Sequence, residues 1–300
     1  MSSIECTNLT KTYRRRNVLN QISFTLEENK ITGLIGRNGV GKTTLLKIIA
    51  GYIKQTSGEI KVFNQHPFNN LQTSVNTIFV DDQMSFPPAM QLQELLEAGR
   101  TFYPNWDMEL AERLFKYFDF DPKYYHNTLS KGRTSTFNMI VGLASRCPVT
   151  IFDEPTTGMD ESVRKDFYRA LLKDYLNHPR TIILSSHHLG EIEDLLEDIL
   201  LIKNGKVKLH MPISDLKESA IELSGSSSTV NKWIEGKEVI HKKYIGQDTM
   251  LAVVKNDFSD AELHEASGDH IKLSPVRAGD LCVYLTNDTK GGIDDVFSDR

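Results

Sequence analysis

The sequence predicts an α/β fold built on a mostly parallel, buried β-sheet, with a smaller α/β or β-rich domain behind it. Three observations carry that expectation. Short β-branched and apolar runs at residues 31–35, 149–152 and 181–184 have the length and composition of strands covered on both faces. The first runs straight into a glycine-rich loop that opens a helix, and the second ends on adjacent carboxylates, Asp153 and Glu154.

In chain order, residues 4–9 and 18–26 have strand composition and flank the basic run Arg14-Arg15-Arg16, which predicts an antiparallel pair joined by a solvated turn. Residues 43–51 predict a helix with Leu45, Leu46, Ile48 and Ile49 apolar. Residues 91–127 turn helical: Leu92, Leu95 and Leu96 share a face, and Asp107 is placed to cap a helix carrying Leu110, Leu114 and Phe118. A further helix after residue 130 presents Phe137, Ile140, Val141 and Ala144. Residues 199–203 and 206–209 flank Asn204-Gly205, the signal for a two-residue hairpin. Every motif lies before residue 210, so the expected division is 1–210 and 211–300. The second part contains Pro212, the polar run Ser224-Gly225-Ser226-Ser227-Ser228, strand-like runs at 249–254 and 280–285, and a polar stretch at 287–292.

A net charge of −5 over 300 residues gives no electrostatic footprint for nucleic acid, and none is expected as a partner. Cys6, Cys147 and Cys282 are widely spaced without a C-x-x-C pairing, as expected of free thiols in a reducing compartment. The N-terminus lacks an apolar signal region, and no run of about 18 apolar residues occurs, so a membrane role must come through a partner.

Gly36-Arg37-Asn38-Gly39-Val40-Gly41-Lys42-Thr43 fits G-x-x-x-x-G-K-[ST], with Thr44 next on the helix. Glycines let the backbone wrap a polyphosphate, and the helix N-terminus meets its charge. Lys42 supplies a cation to the β- and γ-phosphates, and Thr43 a hydroxyl for Mg²⁺. Asp153, at the end of its strand, is the expected Mg²⁺ partner, usually through water. Glu154 is placed to orient or deprotonate an attacking water. His188, beside His187 on an extended segment, is expected to point elsewhere, which argues against a metal-binding pair.

Further motifs narrow the reading. Leu129-Ser130-Lys131-Gly132-Arg133 resembles the LSGGQ signature of the ABC ATPase family, with Lys131 and Arg133 departing from its usual glycine and glutamine. Thr157-Gly158-Met159-Asp160 resembles the D-loop, Ser185-Ser186-His187 the switch histidine, and Tyr13 the aromatic that stacks on adenine. The resemblance covers roughly residues 4–210. It implies a RecA-like parallel core, an N-terminal antiparallel β subdomain and a helical signature subdomain. It also implies ATP and Mg²⁺ as ligands, with Ser130 and Gly132 serving the γ-phosphate held by a second subunit, and Asp160 at the subunit interface. At the Q-loop either Asp82 or Gln83 falls on the metal-binding position, and Phe86-Pro87-Pro88 beyond it is the expected docking surface for a membrane subunit.

By the same resemblance the chain would work as a homodimer, or a heterodimer with a paralogue, on a separately encoded transmembrane permease. It would be peripheral on the cytoplasmic face of the cell membrane. The pattern is most similar to bacterial exporters of the bacitracin-resistance, antimicrobial-peptide and phenol-soluble-modulin kind, implying an amphipathic peptide, drug or lipid-like substrate. A soluble ABC ATPase acting on ribosome or DNA is the alternative. A single P-loop and the lack of sustained heptads between Lys42 and Asp153 count against it.

Overall fold

The structure is a computed structural model describing residues 2–187, 189–245 and 248–287. Its contacts divide the chain into two units, Met1–Met211 and one beginning at Pro212.

In the first unit, β1 (Ser2–Tyr13) and β2 (Arg16–Glu27) pair antiparallel across the basic turn. The fully buried β3 (Ile31–Ile35) leads into α1 (Lys42–Ile49), and β4 (Ser57–Val62) returns to β1 to give a sheet of order β2-β1-β4. A short α2 (Leu71–Asn76), capped by the Asn70 side chain, turns into β5 (Thr77–Val80). Then come α3 (Leu92–Phe102), α4 (Met108–Tyr117) and α5 (Lys131–Ser145). After them β6 (Val149–Asp153), α6 (Glu161–Asn177) and β7 (Thr181–Ser186) rebuild the α/β alternation. The unit ends with β8 (Asp198–Lys203) and β9 (Lys206–Pro212).

The main sheet has the order β5-β6-β7-β3-β8-β9, and its ladders from β5 through β8 are parallel. A parallel sheet covered on both faces needs apolar side chains on both, which is why these strands read as continuous apolar runs. The turn between β8 and β9 has positive φ at both Asn204 (51°) and Gly205 (70°), as the Asn-Gly pair predicts. The core of the unit joins the two sheets through α1: Ile4, Leu19 and Ile60 from one side and Leu34, Ile151 and Ile183 from the other pack with Leu45, Leu46 and Ile49. That packing fixes the start of α1 at the carboxyl ends of β3, β6 and β7, where ligands of open α/β sheets bind.

The second unit contains α7 (Ile213–Glu218), β10 (Ala220–Ser226), α8 (Ser227–Trp233), β11 (Val239–Ile245), β12 (Thr249–Lys255), α9 (Asp260–Gly268), β13 (Lys272–Pro275) and α10 (Ala278–Thr286). Its antiparallel sheet has the order β11-β12-β10-β13, so β10 to β13 form a split βαββαβ unit. Leu223, Met250, Ala252 and Val254 meet Val230, Ile234 and Ala266 of the two crossover helices in a core of their own.

Several sequence expectations need correction. Residues 280–285 are not a strand but the body of α10. Its buried Ala278, Leu281 and Cys282 recur at helical spacing, which a short apolar run does not reveal. In α4, Asp107 does cap, accepting from Leu110 N (2.9 Å), but the buried face is Met108, Ala111 and Phe115, with Leu110, Leu114 and Phe118 half-buried beside it. α5 has no single apolar face: every residue from Ser135 to Ser145 is buried, because the helix is enclosed by α3, α4, α6 and the sheet. The polar run at 224–228 is built into the second unit's framework. It ends β10 and starts α8, with Ser226 as the cap. The polar stretch beyond Asn287 lies outside the described residues.

Candidate active site

The site begins at the loop between β3 and α1. Gly41 takes φ 109°, and a Cβ there would lie 2.9 Å from the Val18 carbonyl oxygen. At Gly36 a Cβ would meet the Ile202 carbonyl at 2.6 Å. Only glycine fits either position. Gly39 (φ 78°) faces open space, so backbone is exposed there. Val40 packs on the core, whereas Arg37 and Asn38 are exposed. No side chain caps α1, leaving its first-turn N–H groups free of helix partners. Lys42 is 94% buried, and its Nζ donates to the Gly36 carbonyl (2.7 Å).

Opposite stand the two carboxylates that follow β6. Asp153 is the last residue of the strand, and its parallel register sets it beside Ser185 of β7. The Ser185 hydroxyl donates to Asp153 Oδ1 (2.5 Å) and accepts from Glu154 N (2.9 Å). Glu154 adopts φ 49°, a left-handed conformation that costs a non-glycine residue about 1–3 kcal/mol. This sharp turn brings Glu154 into the same cavity as Asp153, where in regular strand geometry it would point to the opposite face. Glu154 Oε1 lies 3.4 Å from Lys42 Nζ, and His187 Nδ1 donates to Glu154 Oε2 (2.6 Å).

Glu154 and His187 border a cavity of about 510 Å³ that Asn38, Thr43, Asp82, Gln83 and Asp153 also line. An adjoining cavity of about 330 Å³ runs along Gly39, Gly41, Lys42 and Thr44 toward Val18. The open glycine cradle, the buried lysine and the uncapped helix N-terminus fit a polyphosphate. The Thr43 hydroxyl and the Asp153 carboxylate fit a hard divalent cation.

Both Q-loop candidates, Asp82 and Gln83, reach the cavity. Sequence reasoning missed the group beneath them: Asp81, buried and paired with Lys47 (3.7 Å), donates order to the loop by accepting from Gln83 N (3.1 Å). Its carboxyl is pushed above the usual range by burial, an effect that Lys47 opposes. It also missed the bridging role of Ser185, which a serine ending a strand next to an acidic strand end could have signalled.

Ser130, Gly132 and Asp160 are not among the residues lining these two cavities. Ser130 and Asp160 occupy the positions just before α5 and α6, both exposed and neither using its side chain as a cap. Tyr13 is 45% exposed at the end of β1, with Lys11 Nζ 4.9 Å from its ring centroid. Phe86 is half-buried against His126 (centroids 4.8 Å) and Phe137 (5.8 Å), so of the expected docking trio only Pro87 and Pro88 are exposed. His188 lies outside the described residues.

Residues 19–157 match the family model described as ABC transporter. Those residues, all within the first unit, are similar to the ATP-binding proteins of ABC transporters. The chain is 28% identical over 255 residues to the ABC transporter ATP-binding protein YtrB of Bacillus subtilis, covering 85% of this chain and 87% of that protein. It is 27% identical over 258 residues to the bacitracin transport ATP-binding protein BcrA of Bacillus licheniformis, covering 83% and 84%. Both matches are longer than the 211-residue first unit and so extend into the second. Among solved structures, the dimeric bacterial ABC transporter cassette MJ0796 superposes with a TM-score of 0.62 at 22% identity, over 70% of this chain and 98% of that one. The ATP-binding subunit of another ABC transporter gives 0.64 at 22%, over 71% and 91%. The architecture of the first unit is therefore that of an ABC cassette. Among the described residues no helix is long and apolar enough to cross a membrane.

Proposed function

We propose that this protein hydrolyses ATP and drives a separate transmembrane subunit of an ABC transporter. The observation that carries the proposal is that Asp153, Glu154 and His187 line one cavity at the carboxyl ends of the parallel strands, while Glu154 also lines the adjoining cavity with Lys42, 3.4 Å away. Lys42 and the α1 N-terminus bind and orient the phosphates. Glu154, held by His187 and by the Ser185 contact to its backbone, accepts the proton of the attacking water. Thr43, Asp153 and Gln83 are the residues that would hold Mg²⁺, which when bound neutralises charge developing on the phosphates. Tyr13 supplies a face for the adenine.

Ser130, Gly132 and Asp160 then serve the site of a second subunit, and their absence from the lining of both cavities supports that assignment. The similarity to BcrA, a bacitracin transport ATP-binding protein, supports a peptide-like substrate, and we extend it to export of an amphipathic peptide, drug or lipid-like molecule from the cytoplasmic face of the membrane. Purification of tagged Glu154→Gln from detergent-solubilised membranes in Mg-ATP tests the coupling. A co-purifying polytopic membrane protein is the expected result. Recovery with ribosomes or nucleic acid would leave the chemistry intact and overturn its purpose.

A further inference from the structure

The loop after β5 and the signature helix meet through an ion pair that neither motif requires. Asp82 Oδ2 lies 3.3 Å from Nζ of Lys131, the first residue of α5 and the residue that replaces the usual glycine. A lysine at a helix N-terminus faces the positive end of the helix dipole and is unfavourable there unless neutralised. The stem of Lys131 lies along Gly158, where a Cβ would come within 3.1 Å of its Cγ. Beside it Gly132 packs so closely that a Cβ would lie 2.4 Å from the Gly158 carbonyl oxygen. One turn on, the Ser135 hydroxyl donates to Thr157 O (2.8 Å), and the Thr157 hydroxyl donates to Glu154 O (2.8 Å). Asp82 is thus the outer end of a run of contacts that passes through the start of α5 and ends on the backbone of the water-orienting carboxylate.

We propose that Asp82 serves Lys131 rather than a metal ion. Lys131 is a positioning residue whose pairing ties the first turn of α5 to the loop that carries Gln83. Of the two Q-loop candidates this leaves Gln83 to the cation. The inference rests on the reading of the site as an ATPase, but the pair has consequences that need no turnover. With Asp82 neutralised, Lys131 opposes the helix dipole alone and the first turn loosens. With Lys131 absent, neutralising Asp82 changes nothing at α5.

The test is a double-mutant cycle of Asp82→Asn and Lys131→Ala in the full chain, read by amide hydrogen exchange at residues 134–137, whose first bond is Thr134 N to Ser130 O (2.8 Å). Asp82→Asn is expected to speed exchange about three-fold, in keeping with a partly exposed pair. The same change in the Lys131→Ala background is expected to have no effect, and the exchanged pair Asp82→Lys with Lys131→Asp to restore protection. Additive effects, or no effect of Asp82→Asn, overturn the proposal. So does a rise in the Mg²⁺ concentration for half-maximal turnover in Asp82→Asn that is absent from Lys131→Ala, since that is the mark of a metal ligand. If the unmodified protein hydrolyses no ATP, the ATPase reading falls and the exchange result still decides the ion pair.

Discussion

Glu154 shows how much one dihedral does. Its φ of 49° is unfavourable on its own, yet it turns two consecutive residues toward one cavity, where Asp153 can meet a cation and Glu154 a water. The Ser185 hydroxyl, bonded to both residues, holds that turn. His126 is a second residue whose surroundings have a measurable consequence. Its Nε2 donates to Asn138 Oδ1 (2.7 Å), Asn138 Nδ2 donates on to the Asp81 carbonyl (3.1 Å), and its ring packs on Phe86 and Phe137. Burial holds its pKa below the ordinary value, with the Asn138 contact opposing the shift. The unfolded chain therefore takes up a proton near pH 6.5 before the native state does. Stability is full above that pH and is lost as the pH falls toward the folded pKa. His210 and His241 are displaced the same way by burial. His126→Gln is expected to flatten the fall of melting temperature between pH 7 and 5 by one residue's share; an unchanged slope would mean that the imidazole stays solvated.

At the scale of the element, α5 unites the cassette. Its N-terminus carries the signature, and its body is enclosed on all sides. Gly142 marks its closest approach to the sheet, since a Cβ there would lie 2.7 Å from Phe152 Cε1 and 2.9 Å from Val80 Cγ2. Alanine would favour the helix by about 1 kcal/mol. Overpacking against a fully buried ring costs about 1–3 kcal/mol and has no route of relief. Gly142→Ala should therefore lower the melting temperature by a few degrees, and a raised one would show that helix and sheet have room between them. The strands and the glycine loop were legible in the sequence because their signals are local. The enclosure of α5 was not: a helix buried all round has no amphipathic stripe to read. The same limit applied to residues 280–285, where a short apolar run is compatible with either strand or helix.

At the scale of the molecule, two cores lie in sequence along one chain. The first unit's architecture followed from motif order, since a P-loop after one strand and an acidic pair after another fix which strand ends must converge. The second unit has no such motif, and its βαββαβ order emerges only from strand pairing between distant segments. Cys6, Cys147 and Cys282 are buried and not disulfide-bonded. Burial pushes Cys6 up to about 12 and Cys147 up to about 11, well removed from reactive thiolates.

The central claim concerns what the cavity between Lys42 and Glu154 does, and phosphate release by the purified chain, with and without Mg²⁺, tests it most directly. The unmodified protein is predicted to release phosphate from ATP only when Mg²⁺ is present. Glu154→Gln should bind Mg-ATP while turnover falls by at least about a hundred-fold, the usual loss on removing a general base. Turnover by Glu154→Gln at the unmodified rate, or failure of the unmodified protein to bind ATP, would contradict the account.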